Sequence, residues 1–168
     1  ILTGRHGFRT GVLSAVPPEN AIPMGETSLH ALLAARASYN SALIGKWHLS
    51  GSSNGDADSP ARLGIDHYAG LLTGSHQSYH TVRLTQNGVG STVNQYATTL
   101  FTDLALSWLE DQASPWFLWL AYTAPHAPFH LPPDSLHYSQ GLSDDPAAID
   151  ADPLSYYLAM LEAMDTEM

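Results

Sequence analysis

The first third of the chain alternates apolar and polar positions in a way that predicts a helix followed by a strand. Within residues 27–36 the leucines recur at the i, i+3 and i+4 spacing of one helix face: Leu29, Leu32 and Leu33. Thr27 precedes them and is predicted to cap the helix. Residues 41–45, "SALIG", then form a short apolar run between polar neighbours, which is typical of a buried strand.

The second half repeats this order. Between residues 94 and 112 the apolar positions keep helical spacing over several turns: Ala97, Leu100, Phe101, Leu104, Ala105 and Trp108. After a Ser-Pro break, residues 116–122, "WFLWLAY", are continuously apolar and predict a second buried strand. Asp152 and Pro153 predict the start of a further helix with one apolar face, formed by Leu154, Leu158 and Leu161.

Helices and strands that alternate along a chain indicate an α/β fold, with a mostly parallel sheet flanked by helices. Residues 50–60 and 131–152 are polar and contain Gly, Ser or Pro, so we expect them to be surface connections within one domain. The chain begins without an initiator Met or a signal-peptide pattern and ends within a helical pattern. We therefore expect residues 1–168 to be the central part of a longer domain, truncated at both ends.

The charge balance narrows the possible partners. The chain has 6 Lys and Arg against 16 Asp and Glu, a formal net charge of −10. Such a chain has no general attraction to nucleic acid or to anionic membranes, and no apolar run approaches the roughly 20 residues that span a bilayer. Without cysteine there is neither a disulfide framework nor a thiolate metal site. An anionic ligand would have to be bound by a few well-placed cations.

Polar residues that could bind such a ligand follow both predicted strands. Lys46 and His48 come directly after the first strand, and His126 and His130 follow the second. Ligands of open α/β sheets bind beyond the carboxyl ends of the strands, so neighbouring parallel strands would bring Lys46, His48 and His126 together. One ammonium and two imidazoles facing a pocket suit a tetrahedral anion, since histidine also exchanges protons at a pKa of about 6.5.

Each of these residues taken alone has an ordinary explanation, because a lysine after a strand is usually solvated and a histidine in a Pro-rich loop usually packs. His76 and His80 lie four residues apart, as zinc ligands on a helix do, but Gly and Ser around them predict a loop. Tyr68, Tyr79 and His80 could instead line the rim of a pocket for a sugar-like substrate.

Four blocks of the sequence resemble the sulfatase family, in the family's order. "ILTGRHGFRTGV" (residues 1–12) is similar to the second half of the sulfatase signature, and residues 26–50 resemble the capped helix followed by Gly-Lys-Trp-His-Leu-Gly. "PWFLWLAYTAPHAPFHLPP" (residues 115–133) resembles the apolar strand that ends in Pro-His-x-Pro, and residues 156–168 resemble the next helix. Ser50 replaces the usual Gly of the second block.

The resemblance implies an alkaline-phosphatase-like α/β fold and a role for each site residue. Lys46 matches the lysine that binds a sulfate oxygen, and His48 matches the histidine that hydrogen-bonds the formylglycine hydroxyl. His126 matches the histidine that contacts sulfate and protonates the leaving alcohol. The resemblance further implies Ca²⁺ and a formylglycine nucleophile. Both lie outside this chain, the nucleophile before Ile1 and part of the metal ligands beyond Met168, so residues 1–168 are expected to hold no metal.

We therefore expect part of a sulfuric ester hydrolase that acts on a sulfated small molecule or carbohydrate and is inactive as an isolated chain. Two alternatives stay open. One is a phosphonate monoester or phosphodiester hydrolase of the same superfamily, and the other is a non-catalytic relative that only binds oxyanions. By resemblance we expect the protein to be periplasmic, secreted or lysosomal.

Overall fold

The structure is a computed structural model that describes residues 1–15, 20–74 and 76–168. Its helices are α1 (Gly7–Thr10), α2 (Leu29–Ala37), α3 (Ser59–Arg62), α4 (Ala97–Glu110), α5 (Pro146–Ala151) and α6 (Pro153–Glu167). Its strands are β1 (Asn40–Lys46), β2 (His67–Leu71), β3 (Val82–Gln86), β4 (Val89–Val93) and β5 (Trp116–Ala121). Short 3₁₀ turns cover Ser52–Asn54, Asp56–Asp58 and Asp134–Leu136. Within these residues no helix is both long and apolar enough to cross a membrane.

The strands form a single sheet in the order β4-β3-β2-β1-β5. β1 is the central strand of the parallel part of the sheet and pairs with β2 on one side and with β5 on the other. The two predicted strands are thus parallel neighbours, and their carboxyl ends lie at the same edge. β3 and β4 add an antiparallel hairpin that the sequence analysis missed. Its turn residues Asn87 and Gly88 both have positive φ, the conformation that a tight hairpin turn prefers.

Successive residues of β1 enter two hydrophobic clusters, because side chains alternate between the faces of a strand. Ala42 and Ile44 pack in the larger cluster with residues of β2, β3, α4 and α6. Leu43 belongs to a second cluster with Trp47, Leu63, Ile65 and Tyr68. The sheet is therefore covered on both faces, which confirms the α/β class.

Three details of the predicted elements differ from the structure. Ser28, rather than Thr27, caps α2: its Oγ accepts from Ala31 N at 3.0 Å and donates to Leu63 O. In α6 the buried positions are Tyr156, Ala159, Met160 and Ala163, while two of the predicted core leucines, Leu154 and Leu158, are 63% and 48% exposed. The small alanines allow α6 to lie close to α4.

The third difference concerns β5, which the apolar run predicts to be fully buried. β5 pairs only with β1 within the described residues, so it forms one edge of the sheet. Its side chains are half-buried, and Trp116 is 48% exposed. A continuous apolar run thus identified the strand but not its position in the sheet.

Candidate functional site

Lys46 is the last residue of β1 and lies next to the point where the backbones of β2, β1 and β5 approach one another closely. Gly45 has a φ of 114°, which L side chains rarely adopt, and a Cβ on it would collide with the carbonyl oxygen of Ala121 in β5. A Cβ on Gly70 of β2 would likewise collide with the Gly45 carbonyl. The sequence places small residues where the backbones meet, and the next residue carries the ammonium group.

Two buried asparagines hold the backbone that follows Lys46. His48 has a φ of 61°, an uncommon conformation for a non-glycine residue, and Asn20 Nδ2 donates to its carbonyl oxygen at 3.1 Å. Asn54 Nδ2 donates to Leu49 O at 2.7 Å, and Asn54 Oδ1 accepts from Gly51 N at 2.9 Å. These side-chain amides stand in for the hydrogen bonds that a regular element would supply.

The ring of His48 lies against the chain that leaves β2. A Cβ added to Gly74 would collide with the His48 imidazole, so only glycine leaves room for the ring at this position. A cavity of about 420 Å³ opens beside it, lined by Asn20, His48, Ser50, Asp56, Leu72, Thr73 and Gly74. The half-buried imidazole therefore forms part of a wall that a small polar ligand could reach.

The electrostatics bring the three predicted site residues into one region. Burial lowers the pKa of His48, and the charges of Lys46 and His126 lower it further, while a hydrogen bond with the backbone of Ala15 acts in the opposite direction. Burial also lowers the pKa of the Lys46 ammonium. Lys46 forms no ion pair with any residue that the structure describes. An unpaired, half-buried cation beside two imidazoles is suited to an anion.

His126 lies on an exposed turn directly after β5. Its backbone N donates to Thr123 O at 2.9 Å, and its Nδ1 lies 2.7 Å from Ala127 O. Because a carbonyl oxygen only accepts, Nδ1 must carry a proton, which leaves Nε2 directed to other partners. The His126 carbonyl oxygen in turn accepts from Tyr79 OH at 2.7 Å.

Behind this turn lies a stack of rings that the sequence analysis did not predict. The Tyr79 ring lies between the imidazoles of His76 and His130, with ring centroids 4.3 and 4.2 Å away. His76 Nε2 lies 2.5 Å from Thr123 Oγ1, and His130 Nε2 lies 3.1 Å from Tyr96 OH. We call His76, Tyr79 and His130 the imidazole–phenol stack.

Burial keeps the stack uncharged. It is the largest cause that lowers the pKa of His76 to about 4, and His130, Lys46 and His126 add to the effect. Burial also lowers the pKa of His130 to about 4, against a hydrogen bond with the Pro128 backbone. The charges of Lys46 and His126 thus act on His76, although His76 is not one of the three predicted site residues.

Other candidates from the sequence lie elsewhere. Tyr68 and Tyr79 are each 2% exposed, so neither forms a pocket rim, whereas His80 is exposed and its ring lies tilted against that of Tyr96, with centroids 5.4 Å apart. The described residues contain no group of three or more His, Asp or Glu side chains that could hold a metal ion. A second cavity, of about 480 Å³, has His76, Thr81 and Arg83 among its lining residues.

Comparison with known proteins identifies the family. A model of the sulfatase family matches residues 1–168. The chain belongs to the sulfatase family. It is 29% identical over 164 residues to YdeN of Escherichia coli, named an uncharacterized sulfatase, and 30% identical over 140 residues to the N-acetylglucosamine-6-O-sulfatase of Bacteroides thetaiotaomicron. These alignments cover 83% and 78% of this sulfatase chain.

Solved structures have the same fold. The crystal structure of Ps i-CgsB gives a TM-score of 0.77 at 24% identity and covers 99% of this chain and 40% of its own. BT4656, solved with its substrate D-glucosamine-2-N,6-O-disulfate, gives 0.64 at 27% identity over 80% of this chain and 25% of its own. This sulfatase chain spans 29% of YdeN and 23% of the N-acetylglucosamine-6-O-sulfatase.

Proposed function

We propose that this chain forms the oxyanion-binding part of the active site of a longer sulfatase, which hydrolyses a sulfate ester. The observation that carries the proposal is Lys46 at the end of β1, which forms no ion pair within the described residues. It lies close enough to His48 and His76 to lower the pKa of both imidazoles, and His76 contacts the His126 turn through Thr123. Residues 1–168 are then the central part of the catalytic domain. Family membership supports the reaction class.

Lys46 supplies positive charge where the reaction develops negative charge. As the sulfur–oxygen bond to the alcohol breaks, its electron pair moves to the leaving oxygen, and a preorganised cation in a half-buried site stabilises the anionic sulfuryl group and this developing charge more than water does. In a chain of net charge −10, such a cation also offsets the repulsion that an incoming sulfate would meet.

The two imidazoles, His48 and His126, transfer protons on opposite sides of the sulfur atom. In its doubly protonated form, His126 keeps its Nδ1 proton on Ala127 O and directs its Nε2 proton to the oxygen of the leaving alcohol. It transfers the Nε2 proton as the sulfur–oxygen bond breaks and is left as the neutral imidazole. His48 faces the nucleophile's side of the sulfate and exchanges a proton with its hydroxyl. The lowered pKa of His48 favours the neutral imidazole, the form that accepts a proton.

The metal and the nucleophile that the family resemblance implies do not fit the described residues. Those residues contain no cluster suited to a metal ion, and the chain has neither a cysteine nor a serine followed by x-Pro-x-Arg, the pattern of the family's nucleophile. We propose that Ca²⁺ and the formylglycine are held by residues outside positions 1–168, where the ion would polarise the sulfate oxygens. No role assigned to Lys46, His48 or His126 depends on contact with the ion.

We further propose a sulfated carbohydrate as the substrate class. The relatives that support it are the N-acetylglucosamine-6-O-sulfatase and BT4656, whose substrate carries sulfate on glucosamine. The cavity beside His48 has hydroxyl and amide groups from Asn20, Ser50 and Thr73, which suit the hydroxyls of a sugar.

Turnover by the complete sulfatase tests the proposal, that is, by the polypeptide that carries these residues together with its nucleophile. We expect it to cleave 4-nitrophenyl sulfate in preference to the matching phenylphosphonate ester, and the isolated 168-residue chain to cleave neither. Lys46→Ala should lower kcat/KM by about 10²–10³-fold, the range for loss of one oxyanion-stabilising group.

Arg36→Ala is the matched control, because Arg36 is an exposed cation in the last turn of α2. A similar loss for Arg36→Ala would mean that Lys46 acts only through the net charge. A preference for the phosphonate would replace the sulfatase proposal by the phosphonate hydrolase alternative, and the absence of turnover on either ester would favour a binding protein.

A further inference from the structure

Tyr79 joins the connection between β2 and β3 to the turn that carries His126. Its hydroxyl donates to the carbonyl oxygen of His126 at 2.7 Å, although the two residues are 47 positions apart. Tyr79 itself is 2% exposed. The bond therefore runs from the protein interior to the backbone of an exposed residue.

A second contact attaches the same two segments. His76 Nε2 and Thr123 Oγ1 are 2.5 Å apart, and Thr123 begins the turn that His126 ends. Residues 76–79 thus hold the turn at both of its ends, once through a side chain and once through a carbonyl. The imidazoles of His76 and His130 enclose the Tyr79 ring and fix its direction.

We propose that Tyr79 is a positioning residue for His126, holding the His126 backbone so that its imidazole meets the oxygen of the leaving alcohol. The inference rests on the proposed function of His126 as the leaving-group acid. Tyr79 is not a catalytic residue, because its side chain is buried and its hydroxyl donates to the His126 carbonyl.

The hydroxyl is also unsuited to acid–base chemistry of its own. Burial raises the pKa of Tyr79, and Tyr96 raises it further, so the phenol keeps its proton over the whole working range of an enzyme. A permanently protonated phenol is a fixed hydrogen-bond donor. A fixed donor suits a positional role, since general-acid catalysis by His126 depends on its distance and direction from the leaving oxygen.

Tyr79→Phe in the complete sulfatase tests the inference through leaving-group dependence. An alkyl alkoxide must be protonated as it leaves, whereas 4-nitrophenolate leaves without a proton. We expect Tyr79→Phe to lower kcat for an alkyl or sugar sulfate by about 10-fold, a part of the 10²–10⁴ that a general acid supplies, and to leave kcat for 4-nitrophenyl sulfate nearly unchanged. KM should stay constant for both.

Tyr68→Phe is the matched control. Tyr68 is equally buried, but its hydroxyl has no hydrogen-bond partner among the residues that the structure describes, so the same atom is removed without breaking a hydrogen bond seen there. We expect no change in leaving-group dependence. Thr123→Val keeps the side-chain shape and removes the hydrogen-bond partner of His76. We expect it to change the rates in the same direction as Tyr79→Phe. It provides the test if Tyr79→Phe does not fold.

The variant His126→Ala separates this inference from the proposed function. If His126→Ala slows both substrates equally, His126 is not the leaving-group acid and the proposed function of that residue is wrong. If His126→Ala selectively slows the alkyl sulfate while Tyr79→Phe and Thr123→Val slow both substrates equally, or neither, the positioning role of Tyr79 is overturned.

Discussion

The backbone around His48 shows how a single residue is set at an unusual angle. A φ of 61° turns the chain sharply after β1. The side-chain amide of Asn20 offsets this strain by donating a hydrogen bond to the His48 carbonyl oxygen. A non-glycine residue in this region persists only where surrounding contacts over-determine it. The strain and its compensation both lie beside the proposed sulfate, where the direction of an imidazole matters most.

Gly74 offers a test of how tightly that direction is set. We expect Gly74→Ala to displace the His48 ring, because the added methyl group would occupy the position of the imidazole's outer atoms. A ring can rotate where a backbone cannot, so stability should change by less than about 1 kcal/mol, while kcat/KM of the complete sulfatase falls about 10-fold. Activity and urea unfolding of the same preparation measure both.

Gly25→Ala is the control, since a Cβ at Gly25 meets nothing within 4 Å. Equal losses of activity in Gly74→Ala and Gly25→Ala would show that the contact with His48 has no effect. A large loss of stability in Gly74→Ala alone would show that the backbone, rather than the ring, gives way.

At the residue scale, the sequence pattern predicts candidate site residues but not the groups that hold them in place. Lys46, His48 and His126 are candidates because each lies at the end of an apolar strand or within five residues after it. Tyr79 and His76 contact the His126 turn across 47 positions of sequence, and no local pattern encodes such a pairing. The buried amides of Asn20 and Asn54 read as ordinary loop residues until the fold is known.

At the element scale, the close approach of β2, β1 and β5 depends on Gly45. We expect Gly45→Ala to destabilise the protein by more than about 2 kcal/mol, because a positive φ strains alanine by about 1–3 kcal/mol and the methyl group would meet the Ala121 backbone. Neither β1 nor β5 can move away without breaking the parallel pairing that aligns Lys46 with the His126 turn. The free energy of unfolding in urea measures the effect.

Gly90 in β4 is the matched position for this substitution, as a strand glycine whose added Cβ would lie in open space. Gly90→Ala should change the free energy of unfolding by no more than about 0.5 kcal/mol. A loss of similar size at both positions would attribute the effect to strand glycines in general and contradict the role of close approach at Gly45.

The elements differ in how far their sequences specify them. Residues 40–46, 97–110 and 116–121 carry strong periodic or continuous apolar patterns and form the predicted strands and helix. The hairpin of β3 and β4 has an Asn87-Gly88 turn signal that could have revealed it. For β5 the apolar run is the same in a central strand and in an edge strand, so its half-buried state depends on neighbours that sequence alone does not give.

Across the whole molecule, burial lowers the pKa of histidine side chains. It is the largest cause that lowers the pKa of five of them: His30, His48, His67, His76 and His130. Each is held neutral in the folded chain at a pH where the unfolded chain would protonate it. The histidines therefore couple the stability of the fold to pH, independently of any role in chemistry.

The sign of this coupling follows from His76 and His130, whose folded pKa values are about 4 against 6.5 when unfolded. Between these values the unfolded state binds more protons, so stability is fully present above about pH 6.5 and falls as the pH is lowered toward 4. Each histidine contributes a slope of at most about 1.4 kcal/mol per pH unit. Urea unfolding at several pH values from 5 to 7 measures it.

This pH window isolates the histidines from the carboxylates. Glu162, whose pKa is lowered from 4.5 chiefly by the backbone N–H of Tyr138, loses its contribution only below that value. His130→Phe, which keeps a ring against Tyr79, should flatten the slope between pH 5 and 6.5, whereas His6→Phe on the surface should not. If His130→Phe keeps the full slope, His130 is not one of its sources, because removing it should remove a proton that only the unfolded chain takes up.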